Sequence, residues 1–558
     1  MGEPAQNSLT GAILWKACSM PKLSPRCVAS FVRLARSRLA HGAGAASFAL
    51  ALIFVAPAAW SAAGMPSSNV AWQAAGNDSD IDRLFSQASR EKKPLLLYWG
   101  ATWCPPCNQL KATFFNRQDF AVLAQSFVAV SVDGDLPGAQ KLGARFKVRG
   151  YPTVILMTAQ GAEITRLPGE VDAPQIMAAL QAGLSGGRPI KAVLADARAG
   201  KSLTPLEWRM LAFYSWETDE ATLVSEAQRA ALLAELAGKS PAGDGETTMR
   251  LWLKALAASD DGKGLKPDAE LRARVQRVLA DPALARMHSD VLKGGADDMV
   301  KVLSIEGSPE RAALTAQFDG VLQRLQSDTT LSRGDRVEAL YARVALARIG
   351  LPKAETAPKL PAKLLADVKD MAARMDREIT DGYEREAVIS TVAYLQGEAG
   401  LWADSDALLK ANLARSHSPY YLMSQLAGNA RKLGQKEEAL RWYEQAFDKS
   451  VGPATRLQWG ATYLGALVDL APADAPRIEK AAAQLFKEAA ADKSAFYERS
   501  ARSLKRVGNK LQAWNSDGRQ SAVLNRLQKR LDETCKQVAA ADGRRAACES
   551  LLRAQSPV

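Results

Sequence analysis

Histidine is almost missing from this chain: three occur in 558 residues. One is His41, and the other two, His288 and His417, stand far apart with no ligand set or Ser–Asp arrangement beside either. A histidine-rich metal centre and a Ser–His–Asp hydrolase are therefore excluded as readings. Long runs of Val, Ile and Thr are also scarce outside one short region, which argues against a mainly β protein. Alanine is heavily used instead, and most of the chain is expected to be helical. There is no strong excess of one charge. The net +12 includes +5 from six basic residues and Glu3 within residues 1–63, leaving +7 beyond. That surplus is too small to indicate a nucleic-acid partner, and none is expected. An apolar fraction of 47% and a charged fraction of 24% are ordinary for a folded chain. The length exceeds what one core can hold, so two to four domains are expected.

Residues 45–59 read AASFALALIFVAPAA and follow an arginine-rich stretch. The run is short for a membrane span, and the small residues Ser61 and Ala63 suit signal-peptidase cleavage. We read residues 1–63 as a signal peptide or N-terminal anchor, with Met20 as an alternative start. This implies export to the periplasm of a Gram-negative bacterium, after cleavage or with an inner-membrane anchor. Of six cysteines, Cys18 and Cys27 precede the apolar run. Four remain, an even number that suggests pairs in an oxidising compartment.

Residues 75–185 alternate strand and helix signals. Residues 81–91 form a helical pattern, LLLYW after Pro94 a buried strand, and FVAVSVD at 127–133 a second. A helix at 139–147 precedes strands TVILM (153–157) and EITRL (163–167), and residues 171–183 close the segment as a helix. This order predicts an α/β unit with a mixed sheet and helices on both faces. Between the first strand and the next helix stands Trp103-Cys104-Pro105-Pro106-Cys107. Two cysteines three apart can face one another across one helical turn. The first, at a helix N-terminus, gains from unpaired N–H groups and the helix dipole, which lower a thiol pKa. Cys104 is thus read as an accessible nucleophile and Cys107 as the resolving thiol. A static disulfide or half of a metal site are the alternatives. No other cysteine or histidine follows within 100 residues to complete a tetrahedral set, so no metal and no cofactor are assigned.

Trp103–Cys107, Tyr151-Pro152-Thr153 and Gly169, in this order, resemble the thioredoxin superfamily, particularly its exported reductase-like members. The resemblance covers about 110 residues, roughly a fifth of the chain. It implies that Pro152 is cis and faces the cysteines, that Trp103, Tyr151 and Gly169 help form the substrate-binding surface, and that a Pro-Pro pair leans toward reduction. It also marks a departure. The family's buried aspartate, six residues before the first cysteine, is replaced by Tyr98. Ala129 occupies the place expected for its companion lysine. Tyr98 is left as a possible proton-transfer neighbour, although a phenol is a poor base at neutral pH.

Ser185–Pro189 reads as a linker, and Thr204-Pro205-Leu206-Glu207 as a capped helix start. Beyond it we expect a helical domain at 190–380, repeat-like hairpins at 381–490 and a C-terminal cap at 491–558. Leu426, Ala427, Ala430, Gly434, Ala439, Tyr443 and Ala446 resemble one tetratricopeptide repeat, with Gly400 one 34-residue period earlier. A helical solenoid of this kind offers a surface for a protein partner. Cys535 and Cys548 flank Asp542-Gly543 and are expected to form a structural disulfide. Arg502, Lys505, Arg506 and Lys510 read as a solvated basic face.

The expected fold class is multidomain: an α/β thioredoxin-like domain followed by a large all-α, repeat-like region. The expected function is an exported thiol–disulfide oxidoreductase acting on client protein disulfides or thiols, with a membrane thiol reductase as electron donor. Two other readings stay open: a helical scaffold for envelope assembly carrying an accessory redox domain, and a dithiol oxidase.

Overall fold

The computed structural model describes residues 70–167, 169, 172–219, 222–241, 245–259, 265–538, 540 and 543–553. The expected signal segment at 1–63, with Met20, Cys18, Cys27 and the cleavage site, lies outside these residues, as does Asp542.

Gln73–Ala74 (β1) leads into Asp78–Glu91 (α1), Leu95–Gly100 (β2), Pro105–Thr113 (α2) and Gln118–Leu123 (α3). Val128–Asp133 (β3), Ala139–Arg145 (α4), Thr153–Met157 (β4), Glu163–Leu167 (β5) and Ala173–Leu184 (α5) complete the α/β part. The strand order is β1-β3-β2-β4-β5. β1 and β2 run parallel to β3, and β4 runs antiparallel to β2 and β5. β2 is buried along its whole length, as expected for a continuous apolar run covered on both faces. Strand alternation divides its side chains between two cores. Leu95, Leu97 and Trp99 pack with Ile81, Leu84, Val130 and Leu142. Leu96 and Tyr98 pack with Leu110, Phe114, Phe115 and Phe120 on the α2 side. β1 was not expected from its two residues, because so short a strand carries no periodicity.

Only helices follow among the described residues. Thr204 and Glu207 form the reciprocal cap expected of them: Thr204 Oγ1 accepts from the Glu207 N–H and Glu207 Oε2 accepts from the Thr204 N–H, at 3.3 and 2.8 Å. The linker at 185–189 does not separate two cores. Leu180 and Ile176 of α5 share one apolar cluster with Val193, Trp208, Leu211, Leu233 and Leu251. Further along, helices pack in pairs consistent with a repeat arrangement: Pro419–Lys432 with Lys436–Lys449, then Pro453–Leu470 with Ala475–Ala491. Tyr443 is fully buried with Ala427, Ala430 and Ala446, the small residues that let these helices approach. No described helix is long and apolar enough to cross a membrane.

Candidate active site

β2 ends at Gly100, and the chain turns at once into α2. Cys104 is the N-cap of that helix, with extended backbone angles, and its Sγ accepts from the Cys107 N–H at 3.2 Å. Cys104 thus stands at a helix N-terminus, a position that favours negative charge in general. Pro105 takes the first helical position, where a missing N–H costs nothing. Cys104 and Cys107 are joined as a disulfide, with Cα atoms 5.2 Å apart. Asn108 holds the turn, its Nδ2 donating to the carbonyls of Thr102 and Cys104 at 2.8 and 3.1 Å.

The Tyr151–Pro152 peptide is cis. Gln140 ties Tyr151 down, donating to its hydroxyl at 2.8 Å and to the Gly134 carbonyl at 2.7 Å. Gly169 lies over the Pro152 ring, where a Cβ would come within 2.8 Å of Pro152 Cγ. Trp103 stands beside Tyr151, ring centroids 6.5 Å apart. Apolar packing places Trp103 and Tyr151 against the small cluster of Ala101, Cys104 and Cys107.

Beneath α2, strand register places Asp133 opposite Gly100 and Ser131 opposite Tyr98. Tyr98 is buried, its hydroxyl has no hydrogen-bond partner, and burial pushes its pKa far above the ordinary range. It stays protonated at neutral pH and cannot serve as a base. Asp133, which sequence reading passed over, has the better chemistry. Burial, and then the negative charge of Asp135, push its carboxyl up to about 6, while Lys111 and Arg499 oppose the rise. Lys111 lies one helical turn past Cys107, is buried, and is drawn down to about 8 by desolvation. Its Nζ lies 5.3 Å from the centroid of the Tyr383 ring. These two groups straddle neutral pH, where proton exchange is easiest. Asp133 was visible only as the last residue of a strand; its position opposite Gly100 comes from the register.

The structure corrects one expectation outright. Cys104 is 2% exposed and Cys107 is fully buried, so the sulfurs are not accessible. The helical region lies over them. Trp103 stacks on Tyr421 at 6.0 Å and meets Trp459 edge-on at 5.0 Å. Its Nε1–H is shared between Asp135 Oδ2 at 3.0 Å and Thr455 Oγ1 at 2.9 Å. Arg499 pairs with Asp135 and places its guanidinium 5.2 Å from the Trp103 ring and 5.1 Å from Tyr151. His417, read as ordinary from sequence, donates from Nε2 to the Thr102 carbonyl at 3.0 Å. Part of the expected basic face is engaged as well: Arg502 donates to the Arg149 carbonyl at 2.7 Å, and Lys510 pairs with Asp469 at 2.6 Å.

Near the C-terminal end of the described helices, Cys535 and Cys548 form a second disulfide, with Cα atoms 5.6 Å apart. Among the described residues, no group of three or more His, Cys, Asp or Glu side chains is arranged to hold a metal.

Comparison with known proteins places this geometry in context. The thioredoxin-like domain family matches residues 81–184. The thiol:disulfide interchange protein DsbD of Cronobacter sakazakii is 34% identical over 130 residues, which are 22% of this chain and 21% of that protein. The chain thus spans about a fifth of DsbD. The thioredoxin-like protein slr0233 of Synechocystis is 30% identical over 89 residues, 16% of this chain and 80% of that protein. Its sheet, its Cys104–Cys107 pair at the head of α2 and these matches together show that the chain belongs to the thioredoxin-like family.

Proposed function

We propose that this chain is an exported thiol–disulfide oxidoreductase that reduces disulfides in periplasmic or envelope proteins of a Gram-negative bacterium. The observation that carries the reading is Cys104 at the N-cap of α2, its sulfur receiving the Cys107 N–H. In the reduced protein the Cys104 thiolate attacks a client disulfide and expels one client thiolate, leaving a mixed disulfide. Cys107 loses its proton and attacks Cys104 Sγ, releasing the second client thiol and forming the Cys104–Cys107 bond. Two electrons pass to the client, whose thiolates take up the two protons. Asp133 beneath α2 and Lys111 within it, titrating either side of neutral pH, relay the Cys107 proton. Trp103, Tyr151, cis-Pro152 and Gly169 present the client segment. A membrane thiol reductase returns the dithiol. The likeness to a thiol:disulfide interchange protein supports the chemistry. The helical pairs, read as tetratricopeptide-like, bind a protein partner.

Insulin-disulfide reduction tests this. C104S abolishes turnover, whereas C107S accumulates mixed disulfides visible on non-reducing gels. Equal activity in both variants and the native chain would remove the reading.

A second reading, a helical scaffold with an accessory redox domain, draws support from the burial of the disulfide. Complementation by the chain lacking both active-site thiols separates the two, because only a scaffold keeps its function.

A further inference from the structure

We propose that the helical region is a self-docked cover on the redox disulfide, and that a protein client reaches Cys104 only after the helices bearing His417, Tyr421, Thr455, Trp459 and Arg499 part from the active-site face. The inference rests on the thiol–disulfide reading above and adds its regulation.

Disulfide exchange needs an incoming sulfur to approach Cys104 along the bond it will break. A client brings a polypeptide segment with it, and neighbouring extended strands need about 5 Å of separation. With Cys104 2% exposed and Cys107 fully buried, no such space exists. The residues filling it stand where a client would lie, on Trp103 and Tyr151 beside cis-Pro152.

The contact is built to hold and to release. Its centre is one hydrogen-bonded unit: Asp135 accepts from Trp103 Nε1, Thr455 Oγ1 and the Arg499 guanidinium. The Arg499 backbone N–H adds a bond to Gln140 Oε1 at 2.9 Å, and Gln109 Nε2 reaches Ser332 Oγ at 2.8 Å on the far side of α2. On the active-site face these are polar side-chain contacts around one inserted tryptophan, while the helix Gly382–Glu398 packs closely along α2 beside them. By contrast, the first helices of the region share a continuous apolar core with the sheet. Polar interfaces within a chain are the ones that open, while shared cores stay together. A buried ion pair is also a point of weakness, since loss of one partner leaves the other charge desolvated and unpaired.

The test uses the full chain, gently reduced, with labels located by peptide mass spectrometry. Arg499→Ala strands Asp135, and Thr455→Glu sets a second carboxylate against it; two different variants guard against a folding defect in one. A maleimide bearing a long polyethylene-glycol chain reports access for bulky reagents, and exchange with dithiothreitol reports the disulfide itself. The native chain labels slowly at Cys104 and reduces insulin slowly. Both variants label and reduce insulin on the order of tenfold faster or more, the scale set by breaking a buried pair. Rates of labelling and insulin reduction that match across the three proteins overturn the cover, even if all three exchange with dithiothreitol and so preserve the redox reading. Faster labelling in the variants with no insulin reduction by any of the three proteins upholds the cover and sinks the redox reading instead.

Discussion

Tyr98 lies across Gly100: a Cβ built on the glycine would fall 2.2 Å from the phenol oxygen and 2.7 Å from the ring carbon that bears it. Both residues point to the α2 side of the sheet, two apart on β2. Gly100→Ala therefore forces either the strand end or the buried ring to move, at a cost of about 1–3 kcal/mol. Tyr98→Leu frees the space, so the double variant recovers part of that loss. Urea unfolding of both single variants and the double variant measures this coupling, and strict additivity contradicts it.

Asp133 makes stability depend on pH in an unusual direction. Its carboxyl is raised from an ordinary value of 3.8 to about 6 by burial and by Asp135. An acid whose pKa is higher in the folded state favours folding while protonated, and that advantage disappears as pH climbs from roughly 4 to 6. Asp133→Asn is accordingly neutral below pH ~4 and more stable than the native chain above pH ~6, by on the order of 2–3 kcal/mol. Denaturant midpoints taken across this window check it; a difference independent of pH contradicts it.

Arg250 is fully buried, donates to Asp290 at 3.0 Å and to the Ala212 carbonyl at 3.3 Å, and lies 4.0 Å from the centre of the Phe213 ring. Asp290→Ala leaves this guanidinium without its counter-charge, at a cost of about 3–5 kcal/mol. Arg250→Met, which removes the charge and keeps the bulk, is milder. Thermal unfolding of the two variants ranks them, and the reverse order refutes the argument.

The Cys535–Cys548 bridge joins the helix Ser521–Lys536 to the helix Arg544–Glu549. Cys535→Ser removes a constraint worth roughly 2–4 kcal/mol in the chain-entropy account. Because both sulfurs are buried under the last helices, the loss begins at the C-terminal end. Hydrogen exchange shows it first in residues 521–553, while the sheet keeps its protection.

The strand–helix junction that carries Cys104 and Cys107 was readable because its signals are local. The β2 run, Pro105 at a first helical turn and the Thr204–Glu207 cap each depend on residues within a few positions of one another. The same holds for the pairing of Cys535 with Cys548, which lie on two helices close together in the sequence. Asp133 escaped notice because its value depends on register against β2, a relation between strands separated by α2 and α3. The cover escaped for a stronger reason. Nothing near Tyr421, Trp459 or Arg499 distinguishes them from packing residues, and Asp135 lies 364 residues before Arg499. The notion that Tyr98 assists a proton likewise needed the fold, since only burial shows its hydroxyl cannot ionise.

That long separation also orders events in time. A ribosome adds roughly 5–20 residues per second, so the sheet, α2 and both active-site thiols emerge on the order of 20–70 s before Arg499 is made. Every newly synthesised copy thus begins with Cys104 and Cys107 uncovered. Any partner that oxidises, captures or escorts the nascent domain has that interval, and the enclosed form is the last one the chain acquires.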